Sequence, residues 1–468
     1  MTGKRKRKLA MPDTLIIVAS VVLLVAILSW IIPSGTYDYQ EMNINGRIRN
    51  VAIDGTYHTI DKSEVTTTGF LGFFSVLYRG CVEAADVIFM ILCCCGTFGV
   101  VVKTGAFHAG IGTILKKLKG KEILLVPIIM MIFGLGGSVF GMASEFYGFY
   151  PLIVGLGVAL GYDAMFGFAI IAVGEFVGFM GATLNPYSVG IAQTISGVEL
   201  YSGTGYRAIC FVIFMAISII YVMVYGRKIK KNPGASVVFG EKNIHAFDRD
   251  ELNEYSFTLK DGLVLLDVLV VLVVLMLGLI KWGWDFPQLC GLFLLMSMIA
   301  AAICKWSPNK WCSEFIDSAK TAMWGCILTG IAKAITVVMQ DAQIMDTVIY
   351  GLSNVLKNAP HAVSAQVMLV VQTLINFFIP SATGQASATM PIMAQLADII
   401  GVSRQTAVLA FQFGDGLSNI FWPTADIVII CGLGGISLQK WYKWVTPLFL
   451  ILFVTQAILL GIATGIGF

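Results

Sequence analysis

Two groups of polar residues stand where the rest of the chain is too apolar to be solvated. One comprises Ser381, Thr383, Gly384, Gln385 and Ser387 just behind Pro380, followed by Asp415, Ser418, Asn419 and Thr424 around Pro423. The other comprises Ser138, Ser144 and Glu145, followed by Glu175, Thr183 and Asn185 ahead of Pro186. Hydroxyl, amide and carboxylate oxygens gathered in this way suit a small cation or an ammonium group. The N–H groups at the start of an interrupted helix suit an anion. Such sets could hold a small zwitterion or carboxylate beside a coupling ion, with Na+ or H+ as the candidates. Catalysis would instead need a nucleophile with a base, or a metal triad, at the same depth. The four histidines (His58, His108, His245 and His361) lie outside the apolar runs and show no ligand spacing, so neither an enzyme, a metal site nor another cofactor is expected.

Apolar residues make up 57% of the 468-residue chain and charged residues 13%, a composition of integral membrane proteins. In hydrocarbon, interruptions of a helix survive only where protein or a hydrated cavity surrounds them. Small residues also let transmembrane helices pack closely, and any single Ser or Gly reads as well that way. The recurrence of the breaks is what points to a site. A shift of 240 residues lays Pro151 on Pro391, Gly161 on Gly401, Gly174 on Gly414 and Glu175 on Asp415. Each copy has a Gly/Ser-rich break, a proline-opened apolar run, a Gly-acid pair and a second break. The expected fold is therefore an all-α polytopic membrane protein of two inverted repeats, with about nine transmembrane helices, two re-entrant hairpins and broken helices.

The first repeat spans 1–226, with hairpin 1 at about 123–160 and a broken helix at about 164–194. A cytoplasmic linker covers 227–260, and a linking helix 261–285 inverts the second half relative to the first. The second repeat, 286–468, holds hairpin 2 at about 362–400 and a broken helix at about 404–432. Residues 37–68 read as a polar outer loop, and the segments 70–84 and 344–356 as amphipathic. Lys4 to Lys8 ahead of the apolar run 15–32 place the N-terminus inside. On this topology 22 of the 31 Lys and Arg fall inside, eight outside (Arg207 and Arg404 among them), and Lys333 lies in the membrane. Glu145, Glu175, Asp415 and Asp426 sit in or beside the breaks. Each buried charge costs about 2.5–3.5 kcal/mol on insertion scales. Lys333 could pair with one of these acids, and the remaining excess of carboxylate favours a cationic ligand. Asp415, Glu175 and Asp426 are the candidates for a coupling charge. The ten cysteines read as small buried apolar residues rather than a disulfide framework.

The strings F-F-I-P-S-A-T-G-Q-A-S-A-T-M-P-I-M-A-Q-L-A-D (377–398), R-Q-T-A-V-L-A-F-Q-F-G-D-G (404–416) and L-N-P-Y-S-V-G-I-A-Q (184–193) resemble the YfcC-type branch of the anaerobic four-carbon dicarboxylate carrier family. So do I-P-S-G (32–35) and G-A-F-H-A-G-I-G (105–112). The resemblance covers nearly the whole chain. It implies an ion-coupled carrier with paired hairpins and a scaffold domain, an elevator-like movement and a homodimer, in a bacterial inner membrane. Branches of the family are associated with dicarboxylates, peptides and arginine/ornithine exchange. This chain departs from the pattern at Gly174-Glu175-Phe176-Val177, at Asp426, and at Phe146, Tyr147 and Tyr150 of the first hairpin. The added acids argue against a dicarboxylate, and the added aromatics suit a cationic surface. The expected function is alternating-access transport of a small amino acid, a basic one such as arginine or ornithine fitting these features. The alternatives are a dicarboxylate or short-chain carboxylate carrier, a channel, or a membrane-embedded enzyme. The motif G-x-x-x-x-G-K-[ST] does not occur, which leaves a gradient or exchange as the driving force, and nothing points to nucleic acid.

Overall fold

The computed structural model describes residues 14–44, 47–118, 122–241, 245, 257–357 and 363–468. The basic run Lys4 to Lys8, His361 and the acidic part of the linker (Asp248, Asp250, Glu251 and Glu254) lie outside the described residues. Helix α1 (Thr14–Ile31) is followed by four short strands, β1 (Ser34–Thr36), β2 (Tyr39–Ile44), β3 (Arg47–Ala52) and β4 (His58–Ile60). Antiparallel pairing joins β1 to β4, with Ser34 opposite Ile60, and β2 to β3, with Tyr39 opposite Ala52. The sequence reads here as a polar outer loop, and the strands are held by partners about three hundred residues away. Asp346 accepts from the Tyr37 N–H at 3.0 Å and from the Tyr39 hydroxyl at 2.8 Å. Ser34 donates to the Ala342 carbonyl at 2.6 Å, and Tyr57 stacks on Tyr350 with ring centroids 4.1 Å apart.

The helices of the first half continue with α2 (Phe70–Glu83), α3 (Ala85–Lys103), α4 (Ala106–Leu118) and α5 (Leu125–Leu135). Then come α6 (Phe149–Ala159), α7 (Ala164–Met180), α8 (Val189–Ile195) and α9 (Thr204–Lys231). Past the linker stand α10 (Leu259–Lys281), α11 (Phe286–Ile303), α12 (Pro308–Lys320), α13 (Met323–Asp341) and α14 (Met345–Lys357). The chain ends with α15 (Ser364–Phe378), α16 (Ala382–Ile399), α17 (Arg404–Ser418), α18 (Ile427–Gly434) and α19 (Leu438–Gly465). Six of these (α3, α9, α10, α11, α13 and α19) are long and apolar enough to cross a membrane. The other crossings of the nine-crossing expectation fall on α1 and on the interrupted pairs α7/α8 and α17/α18, whose pieces are individually shorter. Large apolar side chains such as Leu266, Leu269 and Val273 on α10, and Val454 and Ile458 on α19, face outward as lipid contact requires.

The order long, amphipathic, long, amphipathic, hairpin, broken pair, long occurs from α1 to α9 and again from α11 to α19. Packing follows the same correspondence: α2 lies on α13 and α12 on α3, α1 on α13 and α11 on α3, α5 on α7 and α15 on α17. The innermost helices are α7, buried along its whole length, and α17, buried from Thr406 to Ser418. They touch where a Cβ on Gly416 would strike the Met180 backbone, and Gln412 donates to the Phe179 carbonyl at 2.7 Å. Two charges behave differently from their reading in the sequence. Lys333, half-buried on α13, makes no ion pair with the four acids among the described residues. Arg207, counted among the outer charges, is buried at the start of α9, with Nη2 3.5 Å from Gln405 Oε1 and its flank near the Phe468 ring.

Candidate functional site

The first hairpin turns because α5 runs into glycines. After Leu135 the chain widens into a π-type turn over 136–140, and Gly141 then takes a positive φ of 68°, which a Cβ would resist. A short 3₁₀ turn at Ser144–Phe146 leads into α6. The tip is tied to the break after α7. Ser138 Oγ donates to the Gly181 carbonyl at 3.0 Å and lies 3.1 Å from Thr183 Oγ1, and the Thr183 N–H returns to the Ser138 carbonyl at 2.9 Å. Asn185 turns the chain after the break by accepting from the Tyr187 N–H (2.9 Å) and the Ser188 N–H (3.2 Å).

The second hairpin turns at Ile379-Pro380-Ser381. Proline has no N–H to continue the ladder of α15, and Ser381 restarts it as N-cap of α16, its Oγ accepting from the Gly384 N–H at 3.3 Å. Behind the tip lies a buried amide network. Gln385 Nε2 donates to Gln372 Oε1 at 2.7 Å, and Gln372 Nε2 donates to Thr389 Oγ1 at 3.1 Å. Asn376 Nδ2 is shared between Gln385 Oε1 (3.0 Å) and Asp415 Oδ1 (2.8 Å). Hairpin 2 reaches the break between α7 and α8, where Thr383 Oγ1 donates to the Tyr187 carbonyl at 2.9 Å.

Between the tips lie two adjoining cavities. The larger, about 770 Å³, opens past Tyr39 and Asn50 of the strands and past the turn Trp284-Asp285-Phe286, and reaches Ser144, Glu145, Ser381, Thr383, Gly384 and Ser387. The smaller, about 270 Å³, continues inward from Ser144, Ser381 and Thr383 to Tyr147, Phe176, Asn419 and Asp426. Glu145, Asp285 and Asp426 therefore line this space, and among the described lining residues there is no Lys, Arg or His. Asp426 does not cap α18, and its carboxylate faces the Tyr147 hydroxyl.

The other residues singled out in the sequence sit one layer back. Ser138, Thr183 and Asn185 hold hairpin 1 to the α7/α8 break, and Gln385 belongs to the amide network. Ser418 spends its hydroxyl on the Gly414 carbonyl of its own helix at 2.5 Å. Asp415 faces Asn376 rather than either cavity. Thr424 is buried near the second break, and its Oγ1, like Asp415 Oδ2, Asn376 Oδ1 and Asn419 Oδ1, has no hydrogen-bond partner among the described residues. Those acceptors suit a small cation or an N–H donor. No group of three or more His, Cys, Asp or Glu able to hold a metal ion occurs among the described residues. Sequence reasoning missed Gln372, Asn376 and Thr389, although amides and a hydroxyl inside apolar runs were the available signal. It also missed the contributions of Tyr39, Asn50, Trp284 and Asp285, which depend on distant segments folding over the hairpins.

A multi-pass helical membrane protein that holds a polar cavity between interrupted helices has the make-up of a carrier and not of an enzyme. Residues 11–465 match the family described as DcuC: C4-dicarboxylate anaerobic carrier. The chain is 32% identical over 502 residues, covering all of it and 99% of the relative, to a protein of Escherichia coli (strain K12) named "Putative basic amino acid antiporter YfcC". It is 27% identical over 506 residues, 99% of each chain, to a protein of Haemophilus influenzae (strain ATCC 51907 / DSM 11121 / KW20 / Rd). This chain belongs to the C4-dicarboxylate anaerobic carrier family. Among solved structures it is similar to the Alcanivorax borkumensis YdaH transporter (TM-score 0.45, 14% identity, 98% of this chain and 99% of that one). It is also similar to Neisseria gonorrhoeae MtrF (TM-score 0.44, 16% identity, 97% and 96%).

Proposed function

We propose that this protein is a secondary transporter of a small basic amino acid, of the arginine or ornithine kind, working by alternating access in a bacterial plasma membrane. The observation that carries the reading is the charge of the cavity. Glu145, Asp285 and Asp426 line it with no basic side chain among the described lining residues, while Tyr39, Tyr147, Tyr187 and Trp284 supply ring faces. An α-ammonium and a cationic side chain are attracted to such a surface, and ring faces add to that attraction. A dicarboxylate would meet three like charges. The α-carboxylate of an amino acid has a donor in the hydroxyl of Ser381, whose oxygen accepts from the Gly384 N–H and whose own hydrogen is uncommitted. The name borne by the E. coli relative, with its basic amino acid and its exchange, agrees with this chemistry.

In this reading the two halves are inverted repeats, and the matching element order and packing support it. The charge bias puts the strands and the 282–285 turn outside, so the larger cavity is an outward vestibule and Ser144, Ser381, Thr383, Asn419 and Asp426 form the binding site below it. Opening to the other side requires the hairpins to move against α3 and α13. The test is uptake of labelled arginine, ornithine and succinate into proteoliposomes of the purified protein. Saturable arginine or ornithine uptake is expected, with no succinate signal. Succinate uptake without any amino-acid signal would overturn the reading and restore dicarboxylate carriage.

A further inference from the structure

Glu175 is fully buried behind the cavities and lines neither of them. It stands in the middle of α7. Its Oε2 accepts from the Tyr150 hydroxyl at 2.7 Å, and its Oε1 has no hydrogen-bond partner among the described residues. Backbone packing closes one side. A Cβ on Gly137 would come within 2.6 Å of the Glu175 carbonyl oxygen, one on Gly174 within 3.1 Å of Met130 Cα, and one on Gly178 would overlap the Gly134 carbonyl. No cationic side chain enters from there, because α5 and 136–140 carry no titratable residue.

From the remaining elements Glu175 is faced by Tyr150 of α6, by Glu145 and Tyr147 of the hairpin tip, and by Asp426. Helices α9 and α17 bring Arg207, Cys210 and Asp415 into the same bundle, but none of the three is hydrogen-bonded to Glu175. Every ionisable group facing it is therefore an acid. An ionised carboxylate with one oxygen unpartnered would stand there without compensation, which is expensive in a protein interior.

We infer that Glu175 is the proton-carrying residue of the cycle, exchanging its proton against the cation in the cavity; the inference rests on the proposed transport of a basic amino acid. With the cavity free of substrate, the charges of Glu145 and Asp426 keep the proton on Glu175. When a cationic substrate binds and offsets those charges, the O–H bond of the Glu175 carboxyl breaks and the proton leaves to water in the smaller cavity, whose wall holds Tyr147 and Asp426. When the substrate departs on the far side, a proton from water returns to Glu175. Proton and cation thus occupy the protein alternately, which is antiport. Glu175 itself never touches substrate, since it lines neither cavity.

The test uses the full-length protein in proteoliposomes with labelled arginine, comparing wild type with Glu175→Gln and Tyr150→Phe. Arginine counterflow, which needs no proton, is expected to stay within about twofold of wild type in Glu175→Gln, while accumulation driven by a pH gradient disappears. Accumulation driven by that gradient at the wild-type level in Glu175→Gln would overturn the inference. Wild type that carries succinate and no arginine would instead refute the substrate reading. In that event infrared difference spectra decide about the proton: the carbonyl band of a protonated carboxylic acid should be present in wild type and missing in Glu175→Gln, and an unchanged band overturns the proposal. Should Glu175→Gln not fold, Tyr150→Phe serves. Loss of its hydroxyl must shift that band and the pH midpoint of net uptake, and no shift in either is a refutation.

Discussion

Replacing Asp426 by Asn removes one charge from the cavity and leaves the side-chain shape. Asp426 is half-buried at the second break, unused as a helix cap and beside the Tyr147 hydroxyl. A cationic group in contact with it, at about 4 Å and an effective dielectric of about 20, gains about 4 kcal/mol. The cavity is open to water, and Asn still accepts a hydrogen bond, so we discount this to about 1–2 kcal/mol, or about tenfold in affinity. The assay is counterflow of arginine, with citrulline as the competitor of nearly the same shape and no side-chain charge. In wild type arginine should be preferred. In Asp426→Asn the arginine KM should rise about tenfold and the citrulline KM change little, so that the preference narrows by the same factor. The effect should shrink as ionic strength rises. An unchanged arginine-to-citrulline ratio in a variant that melts like wild type would refute the idea that this carboxylate reads substrate charge.

Two other predictions concern the frame that holds the cavity. Gly178→Ala should destabilise the detergent-solubilised protein by about 1–3 kcal/mol in thermal melting, because the new methyl would meet Gly134 backbone that cannot rotate away. Gly205→Ala, with open space around it, is the control, and equal melting of the two variants would contradict the packing argument. The strands outside the membrane should loosen at alkaline pH. Burial and the neighbouring Asp346 push the Tyr39 phenol above its usual value, so the folded protein keeps this proton where the unfolded chain loses it. That stabilisation is whole below the unfolded pKa of about 10 and declines as pH rises past it. Protease resistance of residues 34–60 should fall above that pH in wild type and fall less steeply in Tyr39→Phe, where the Tyr37 phenol, also pushed up by burial, remains.

The places where helices stop were legible because the residues that stop them act locally. Pro380 withdraws a donor and Ser381 supplies a cap, and the chain breaks there. Gly181 follows the last residue of α7, and the residues after Ser418 run irregularly until α18. The presence of acids near those breaks was equally visible. Their ranking was not, because it depends on what each acid faces. Asp415, which the repeat and the F-G-D-G string make prominent, points to Asn376 within hairpin 2, whereas Asp426, one residue before α18, reaches the cavity. Local sequence also does not mark Arg207 as buried: it stands at the start of an apolar run, and in the fold its guanidinium meets Gln405 Oε1 at 3.5 Å and lies 5.9 Å from the Phe468 ring centre. The strands at 34–60 are a third case, held by Asp346 and Ala342 of the other half.

Membership of a dicarboxylate carrier family and a cavity lined by carboxylates are compatible once scaffold and selectivity are separated. The close glycine contacts of α5 with α7 and of α7 with α17, and the hairpin-to-break hydrogen bonds, fix where a ligand can sit and are indifferent to its charge. Charge enters through a few side chains at the ends of those elements. Glu145 follows the turn of hairpin 1, Asp285 caps α11, and Asp426 precedes α18. Asp285 and Asp426 stand at helix starts, where the backbone already favours an anion and so lowers the cost of placing a carboxylate at depth, and Glu145 accepts from the Ala143 N–H at 3.0 Å. A site that binds anionic ligands by its helix starts can be turned toward cations by filling those starts with fixed carboxylates. The same step leaves a proton-bearing acid behind the site sensitive to whether those carboxylates are occupied. On the proposed reading, selectivity for a cation and antiport with protons arise from one change in charge, and the paired tests on Asp426 and Glu175 separate the two: the first should alter which substrate is chosen, and the second only what drives it.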